Sequence, residues 1–494
     1  MTRTLPELGV GIVYIPGLEP LLEPGSTCVD FLEIEPQTLW QYQPGGELSY
    51  VLPDYTLRHL QALPQRKLVH SVGNALGGTH QPDTAFAAAL AATIQTLDAP
   101  WASEHLSITQ VSSAQAGFHT SFMLPSLQTP EGVNVAAATI RRLSEQLPVP
   151  LAVETGVNYL QPRADDMPDG EFFAAAVEAA DCGIVLDLHN IWTNEQNGRQ
   201  SARDFLASIP LERVWEVHLG GGFEHEGYWL DAHSGAVPGP VLALTEEILP
   251  YLPHVKAITY EIFPAFIPLF GLEAIQAQLQ DIHSLWSTRH TSTPPPAYIR
   301  TAATHVVSTP QHKANPITPV LWEQTLGELV THGEITGPLA EQLRQDPGIE
   351  LMQKLIWKFR AGAIVKNLGT LTRLIMIHAG DSHLETLLDG YFRQTKPRAF
   401  ASEECNGFLC YLHKAALTVP YLEDIIRFEE ASMQALATQE NQYIHFRYDP
   451  RALLEAILRG ELPDHLESGA YELEIPPPAI AEVDAMHQGK VPRE

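Results

Sequence analysis

The sequence is poor in basic residues, in cysteine and in long apolar runs. Its 494 residues include 30 Lys and Arg against 59 Asp and Glu, a formal charge of −29, which argues against a protein that binds duplex nucleic acid. Four cysteines in a chain of this length do not make a disulfide framework. The longest apolar stretches, such as 85–97, contain polar breaks and are too short to span a membrane. The N-terminus carries Glu7 and two glycines where a signal peptide has an apolar run, which indicates a cytoplasmic protein.

The chain divides at a segment that lacks acidic residues. Residues 282–322 contain no Asp or Glu and are rich in Ser, Thr and Pro. Such a segment buries little surface and is typical of an exposed, partly extended linker. We therefore predict a first domain over 1–285, a linker over 286–318 and a second domain over 319–494.

Short apolar segments alternate with helical segments throughout the first domain. Eight such segments within about 285 residues predict an α/β fold, a TIM (β/α)8 barrel, and the alternative is a doubly wound open sheet. The candidate strands are 10–15, 29–35, 67–72, 101–108, 151–154, 183–188, 214–219 and 257–262. No G-x-G-x-x-G follows the first strand and no P-loop motif occurs, so neither phosphate-binding fingerprint is present.

The second domain has a helical pattern of apolar residues. They recur three or four residues apart over 323–330, 337–344, 348–378 and 421–438, which predicts a mainly α-helical domain. Two short segments, 443–448 and 471–475, are candidate strands.

Histidines and carboxylates stand where the predicted barrel strands end, which is where TIM barrels carry their chemistry. Seven of the eight strand ends have one, and the loop after the seventh strand adds Asp231 and His233. Carboxylates gathered at one barrel mouth repel one another unless cations lie between them. About four histidines and at least four carboxylates exceed the ligands of one metal ion, which favours two or three ions.

The ligand types narrow the choice of metal. Imidazole and carboxylate without converging cysteines suit Fe, Mn, Co or Zn better than Mg or Ca. A single histidine such as His70 is more often a hydrogen-bonded core residue than a ligand, so the prediction depends on the joint pattern. Because neighbours on a strand face opposite sides, the sequence leaves open which of Glu104 and His105 points inward.

The strand-end motifs also form an ordered set. They are His70-Ser71-Val72-Gly73, Ser103-Glu104-His105-Leu106, Glu154 with Tyr159, Leu186-Asp187-Leu188-His189-Asn190, His218-Leu219-Gly220-Gly221, Asp231-Ala232-His233-Ser234 and Glu261. In this order they resemble the multinuclear non-haem iron-dependent oxidases, the family of the methanobactin-synthesis oxidase, over about residues 5–285.

The resemblance implies an oxidoreductase with a TIM barrel, two or three iron ions that cycle between Fe(II) and Fe(III), and O2 as co-substrate. It further implies a ribosomally made precursor peptide as substrate, modified at cysteine in natural-product biosynthesis. Carried over by motif, the iron ligands are His70, His105, Glu154, Asp187, Asn190, His218, Asp231, His233 and Glu261. We expect Glu33, Glu35 and Glu104 to hydrogen-bond to ligands.

Three positions depart from the family pattern. Glu104 stands where the family usually has Asp, and Thr155-Gly156 stands where Asn-Pro often follows the glutamate. His189 replaces the first Asn of the usual Asp-x-Asn-Asn.

The second domain resembles the helical partner proteins that accompany these oxidases. The likeness lies in Tyr391-Phe392, in 408–412 and in 420–429, and implies an oxidase fused to its own partner, which binds the precursor peptide. The alternative is an unrelated helical appendage that makes a homo-oligomer. Five basic residues make 351–374 a candidate docking face for an acidic leader peptide or a merely solvated face: Lys354, Lys358, Arg360, Lys366 and Arg373.

Two other functions compete with a peptide oxidase. Sugar isomerases and phosphodiesterase-type endonucleases are TIM barrel enzymes that also use histidines and carboxylates at strand ends to hold divalent metals. A non-catalytic binding scaffold is the second competitor. For the peptide oxidase we expect no nucleic acid and no membrane as partner.

Overall fold

The computed structural model describes residues 5–23, 27–42, 48–74, 76–112, 117–291, 294–299, 317–415 and 417–477. Most of the predicted linker, 292–293 and 300–316, lies outside the described residues, so the domain boundaries stay predictions.

Eight parallel strands close into a barrel in which each strand pairs with its neighbours in sequence. The first and eighth strands pair with Gly9 opposite Ala257, which closes the ring. This confirms the predicted TIM barrel and rules out the open sheet. The strands are Gly9–Val13, Phe31–Ile34, Arg66–Ser71, Ala102–His105, Leu151–Glu154, Gly183–Asp187, Val214–Gly220 and Ala257–Glu261.

Burial explains why these strands were visible in the sequence. Nearly every strand residue is buried, because side chains on one face fill the barrel and those on the other pack against helices. The helices of this region are Glu19–Leu22, Pro36–Leu39, Asp54–Ala62, Thr84–Leu97, Pro130–Ser144, Asp169–Ala180, Leu188–Gln196, Ala202–Ser208, Gly239–Ile248, Ile267–Phe270 and Leu272–Ser287. Three short 3-10 turns lie at Leu211–Arg213, Leu249–Tyr251 and Thr288–His290.

Three β-hairpins project from the loops that follow the barrel strands. They are Gln41–Tyr42 with Tyr50–Val51, Ile108–Val111 with Phe118–Leu124, and Gly222–His225 with Tyr228–Asp231. The sequence analysis did not predict them, and its fourth strand, 101–108, ran into the second hairpin. The third hairpin turns at Glu226 and Gly227, whose positive φ angles of 51° and 82° are those of a tight two-residue turn.

The C-terminal region is mostly helical, as predicted. Its helices are Pro319–Val330, Pro338–Leu343, Pro347–Asn367, Gly369–Ala379, Asp381–Gln394, Ala401–Lys414, Leu422–Thr438 and Pro450–Leu458. A two-stranded antiparallel sheet of Gln442–Tyr448 and Ser468–Ile475, with the helix Pro450–Leu458 between them in the chain, contains the two predicted strands. Within the described residues, no helix combines the length and the apolar character that a membrane crossing needs.

The predicted helix 348–378 is two helices, because the chain leaves the helical conformation at Leu368, with φ −115° and ψ 48°. The Glu429 carboxylate caps the second helix from outside. Its Oε1 accepts hydrogen bonds from Thr370 N at 2.8 Å and Leu371 N at 3.0 Å. The Glu429 carboxylate thus replaces the carbonyl acceptors that these two amides would have had in one continuous helix.

A shared apolar core joins the barrel loops to the first C-terminal helices. Side chains from the loops after the fourth, fifth and seventh strands pack with side chains between Trp322 and Ile356. The loop members include Ile108, Leu124 and Tyr159. These helices therefore lie against the end of the barrel at which the strands finish.

A buried hydrogen-bond pair reinforces this junction. The Glu323 carboxylate accepts from Thr79 N at 2.7 Å and from Thr79 Oγ1 at 2.6 Å. Burial raises the pKa of Glu323 to about 6. The loop after the third strand is thereby tied to the C-terminal region.

Candidate metal centre

Strand register brings the candidate ligands to one height in the barrel. His105 lies opposite Glu154, Asp187 lies opposite His218, and Gly220 lies opposite Glu261. Because all eight strands are parallel, these residues meet at a single opening.

Glu154 is the centre of the first group. Its Oε2 lies 3.5 Å from each of three imidazole nitrogens, His70 Nε2, His105 Nε2 and His218 Nδ1. Glu154 Oε2 and His218 Nδ1 are buried and have no hydrogen-bond partner. Ligands that bind one ion at about 2.1 Å lie about 3 to 3.5 Å apart, so this group fits a metal ion.

Glu261 links this group to a second one. Its Oε1 lies 3.2 Å from His218 Nδ1, and its Oε2 lies 3.4 Å from His233 Nε2. His233 Nε2 is also 3.1 Å from Asp231 Oδ1. A carboxylate whose two oxygens face different histidines is suited to lie between two ions.

Asp187 and Asn190 complete the cluster from the helix that follows the sixth strand. Asp187 caps this helix by accepting from Asn190 N at 2.8 Å. Its carboxylate, Glu154 and His218 each offer an atom within 4.8 Å of the others. Asn190 Nδ2 donates to Glu154 Oε1 at 3.3 Å, and its buried Oδ1 has no partner. The structure thus brings all nine predicted ligands into one connected cluster.

The structure decides between the two neighbours on the fourth strand. His105 points toward Glu154, whereas Glu104 turns to the loop after the third strand. Glu104 Oε2 accepts from Ser71 Oγ at 2.6 Å and from Asn74 N at 2.8 Å. Glu104 therefore fixes a loop at the mouth and does not hydrogen-bond to a ligand side chain.

Two fully buried carboxylates lie beside Nε2 of His218, the ring nitrogen that does not face Glu154. This nitrogen is 3.2 Å from Glu33 Oε2 and 3.4 Å from Glu216 Oε1. Glu216 also accepts from Trp101 Nε1 at 3.1 Å and Thr259 Oγ1 at 2.8 Å. The sequence analysis missed Glu216, although its position two residues before His218 puts both side chains on the same face of the strand.

Only some carboxylates of the site resist ionisation: His233 and His218 outweigh burial and lower the pKa of Glu261, and His233 and His189 do the same for Asp231. Burial raises the pKa of Glu154, Glu33 and Glu35, and it raises that of Asp187 to about 6. A carboxylate that is removed from water without a cation holds its proton more tightly. These shifts are what such a cluster should have before a metal ion binds.

The pKa values of two central histidines are also raised, so these rings hold their protons too, whereas burial lowers the pKa of His70. Burial alone lowers the pKa of His218, but the carboxylates Glu33 and Glu261 outweigh it and raise that pKa well above its usual value. At His233, Asp231 and Glu261 likewise outweigh burial and raise the pKa to about 10. In the absence of metal, protons provide the positive charge that the carboxylates require.

The basic helix of the C-terminal region is partly engaged within the chain. Lys354 pairs with Glu226 at 2.7 Å, and Arg360 is buried against Glu404 at 2.7 Å. No cysteine joins any of the possible metal-binding groups that the described residues form.

A model of the RiPP precursor modification enzyme family MbnB/TglH/ChrH matches residues 9–266. These residues hold the barrel and all nine candidate ligands.

Individual relatives match between about a third and a half of the chain. A UPF0276 protein of Streptomyces avermitilis is 31% identical over 251 residues, which are 50% of this chain and 49% of that protein. A UPF0276 protein of Anaeromyxobacter sp. is 29% identical over 180 residues, 36% of this chain and 62% of that protein. The chain thus spans about half the length of the first relative and under two thirds of the second. Among solved structures, D-psicose 3-epimerase from Clostridium cellulolyticum H10 aligns with a TM-score of 0.36 and 14% identity, over 57% of this chain and 98% of that one.

Proposed function

Because the chain belongs to the RiPP precursor modification enzyme family MbnB/TglH/ChrH, we propose that it is an iron-dependent, O2-using oxidase. Its substrate is a ribosomally made precursor peptide, which it modifies at cysteine. One observation carries the proposal: Glu154 Oε2 is buried without a hydrogen bond and faces three imidazole nitrogens at 3.5 Å. A hydrogen-bonded core would not leave these atoms unpaired.

The donor set fits two or three iron ions. The proposed ligands are His70, His105, Glu154, Asp187, Asn190, His218, Asp231, His233 and Glu261. Imidazole and carboxylate donors suit iron, and the deep burial of most of them excludes bulk water from the ions. When bound, iron supplies the redox capacity that oxidation by O2 requires.

The residues around the ligands hold them in a binding orientation. His218 Nε2 donates its proton to Glu33 or Glu216, which leaves the Nδ1 lone pair directed toward Glu154 and Glu261. Asp187 is fixed because it caps a helix. Such anchoring lowers the cost of gathering like charges at one site.

We propose that residues 319–494 take the role of the partner protein and bind the precursor peptide. The helices between Pro319 and Asn367 contact loops at the barrel mouth, so a peptide held by this region lies near the metal centre. Arg360 and Lys354 have partners within the chain, so an acidic leader would use the other cations of this region, such as Lys366.

The test is reconstitution of the metal-free protein with Fe(II) without oxygen, followed by addition of O2 and a cysteine-containing peptide encoded beside the gene. We expect two or three iron ions per chain, O2 consumption that depends on the peptide, and a mass change at cysteine. His218→Ala with His233→Ala should abolish all three. His254→Ala should abolish none, because His254 is exposed and precedes the eighth strand, at the end of the barrel opposite the mouth.

Other outcomes would identify the competing functions. Retention of Zn or Mn without O2 use would contradict the oxidase and favour a metal enzyme of the isomerase or endonuclease kind. Full function in the double variant would indicate a binding scaffold.

A further inference from the structure

His189 is a fully buried histidine at the barrel mouth that is not among the proposed ligands. It lies in the helix Leu188–Gln196, two residues after Asp187 and one before the proposed ligand Asn190. Its Nδ1 is 3.1 Å from Asp231 Oδ1, and its Nε2 is 3.2 Å from Trp229 Nε1. Both ring nitrogens therefore have a partner.

The partners determine where the proton of His189 lies. An indole N–H only donates, so Nε2 of His189 must be the unprotonated acceptor. A neutral imidazole then carries its proton on Nδ1 and donates it to Asp231. A histidine that bound a metal through Nδ1 would carry a proton on Nε2, where it would oppose the N–H of Trp229. The contacts are thus those of a hydrogen-bond donor and not those of a ligand.

The position of Trp229 is itself built into the hairpin. Its backbone exchanges two hydrogen bonds with the side chain of Asn197, at 2.8 Å and 3.0 Å. On the paired strand, Gly222 leaves the space that the indole fills, since a Cβ there would overlap Trp229 Nε1 and lie 2.8 Å from His189 Nε2. Any larger residue would separate the indole from the imidazole.

We propose that His189 is a positioning residue of the metal centre and that Trp229 fixes its tautomer. His189 holds the same oxygen of Asp231 that lies 3.1 Å from His233 Nε2, so it sets the orientation of one proposed ligand toward another. This inference rests on the proposed metal centre. It gives a role to the position at which this chain has His and the family pattern has Asn.

Four substitutions separate the parts of this arrangement. His189→Asn keeps an N–H donor at the position of Nδ1, and His189→Gln keeps a polar group only near Nε2. His189→Ala removes both. Trp229→Phe removes the indole N–H alone, so that the proton of His189 is free to move to Nε2 and leave Asp231 without its donor.

The measurement is titration of the metal-free proteins with Co(II) alone, followed by calorimetry and by the visible absorption of the bound ion. We expect His189→Ala and His189→Gln to weaken the affinity for one ion about 10- to 100-fold, the range found when a partner of a ligand is removed. His189→Asn should stay close to the original protein, and Trp229→Phe should fall in between. All variants should bind the same number of ions at saturation, with similar absorption.

A role in folding alone would not separate Asn from Gln, since both are amides of similar polarity. Equal affinity in the Ala, Gln and original proteins would overturn the inference. So would one ion fewer at saturation in His189→Ala, because His189 would then be a ligand. If His189→Ala does not fold, Gln and Trp229→Phe decide the question. Failure of the unmodified protein to bind Co(II) or Fe(II) would instead overturn the metal centre, and this inference with it.

Discussion

Buried carboxylates occur both at the barrel mouth and in the C-terminal region, but their partners differ. In the C-terminal region, Glu404 Oε1 accepts from Arg360 at 2.7 and 2.9 Å, and its Oε2 accepts from Arg398 N at 3.0 Å. At the mouth, Glu154 Oε2 faces three imidazoles and makes no hydrogen bond.

The two arrangements answer the same physical problem in different ways. Burial of a carboxylate is unfavourable unless a charge or a donor compensates it. An arginine and a backbone amide do so for Glu404, which therefore needs nothing from outside the chain. Glu154 has no such partner, which is why its pKa is raised by burial and why a cation fits beside it. Residue type and burial alone thus do not separate Glu154 from Glu404, whereas the hydrogen bonding of their carboxylate oxygens does.

The largest effect should come from removing the charge of the carboxylate at the mouth. Glu154→Gln removes the shared ligand, and the loss of metal affinity should exceed the 10- to 100-fold that removal of a ligand's partner costs. The free energy of unfolding of the metal-free protein should not fall, since Glu154 Oε2 has no hydrogen bond to lose. Metal analysis and denaturation of the metal-free protein measure the two quantities. A Glu154→Gln protein that keeps its iron would contradict the proposal that Glu154, unlike Glu404, is a metal ligand.

A substitution of the buried carboxylate in the C-terminal region should instead lower stability and leave metal binding unchanged. Glu404→Ala leaves Arg360 buried without its partner and should lower the free energy of unfolding by about 3 to 5 kcal/mol. Metal stoichiometry below the unfolding temperature should be unchanged. Glu403→Ala, one residue away on the exposed side of the same helix, is the control and should have little effect. Chemical denaturation compares the three proteins, and equal stability would contradict the structural role.

Glu429 extends the comparison, because it is a buried side-chain carboxylate of the C-terminal region that accepts hydrogen bonds from backbone amides and not from an arginine. Burial raises its pKa from 4.5 to about 7, so the folded protein binds this proton more tightly than the unfolded chain. The resulting stability is fully present below about pH 4.5 and is lost as the pH rises through about 7. Glu429→Gln keeps the acceptor for Thr370 N and Leu371 N and should remove this dependence, which amounts to about 3 kcal/mol. Unfolding free energies between pH 4.5 and 8 test it, and parallel profiles of the two proteins would refute it.

The smallest effect is the pH dependence of metal binding. His233, with a pKa of about 10, is protonated at neutral pH in the metal-free protein and must lose that proton to bind a metal ion. Affinity should therefore fall about tenfold per pH unit as the pH is lowered from 8 to 6, for each proton displaced. Calorimetry in buffers of different ionisation enthalpy counts the protons released. Binding without proton release would be inconsistent with this charge balance.

The sequence was sufficient to predict the barrel for a physical reason. Strands buried on both faces must be apolar over their whole length, so all eight were visible as short apolar runs. The hairpins at the mouth were not visible, because their strands are short, partly exposed and lie within loops. The break at Leu368 was also missed, since the carboxylate that caps the next helix, Glu429, comes from a distant part of the chain.

The predicted ligands could be named in advance because residue type and position near a strand end can be read from the sequence. The fold then brings them together because all the strands of the barrel are parallel. The directions of the Glu104 and His105 side chains could not be predicted from the sequence, since they depend on which face of the strand is turned toward the barrel interior. The contact of His189 with Trp229 joins residues 40 positions apart through a hairpin that the sequence analysis did not predict. Whether the nine residues bind iron stays a prediction.

The helix Pro347–Asn367 has a practical consequence for any attempt to divide this polypeptide. Its first half, through Ile356, packs with loops of the barrel, and its second half, from Ala361, packs with the remaining C-terminal helices. A truncation on either side of it uncovers an apolar surface that the missing piece normally covers, which favours aggregation of the fragment. The barrel and the C-terminal helices should therefore be expressed, purified and assayed as one uninterrupted chain.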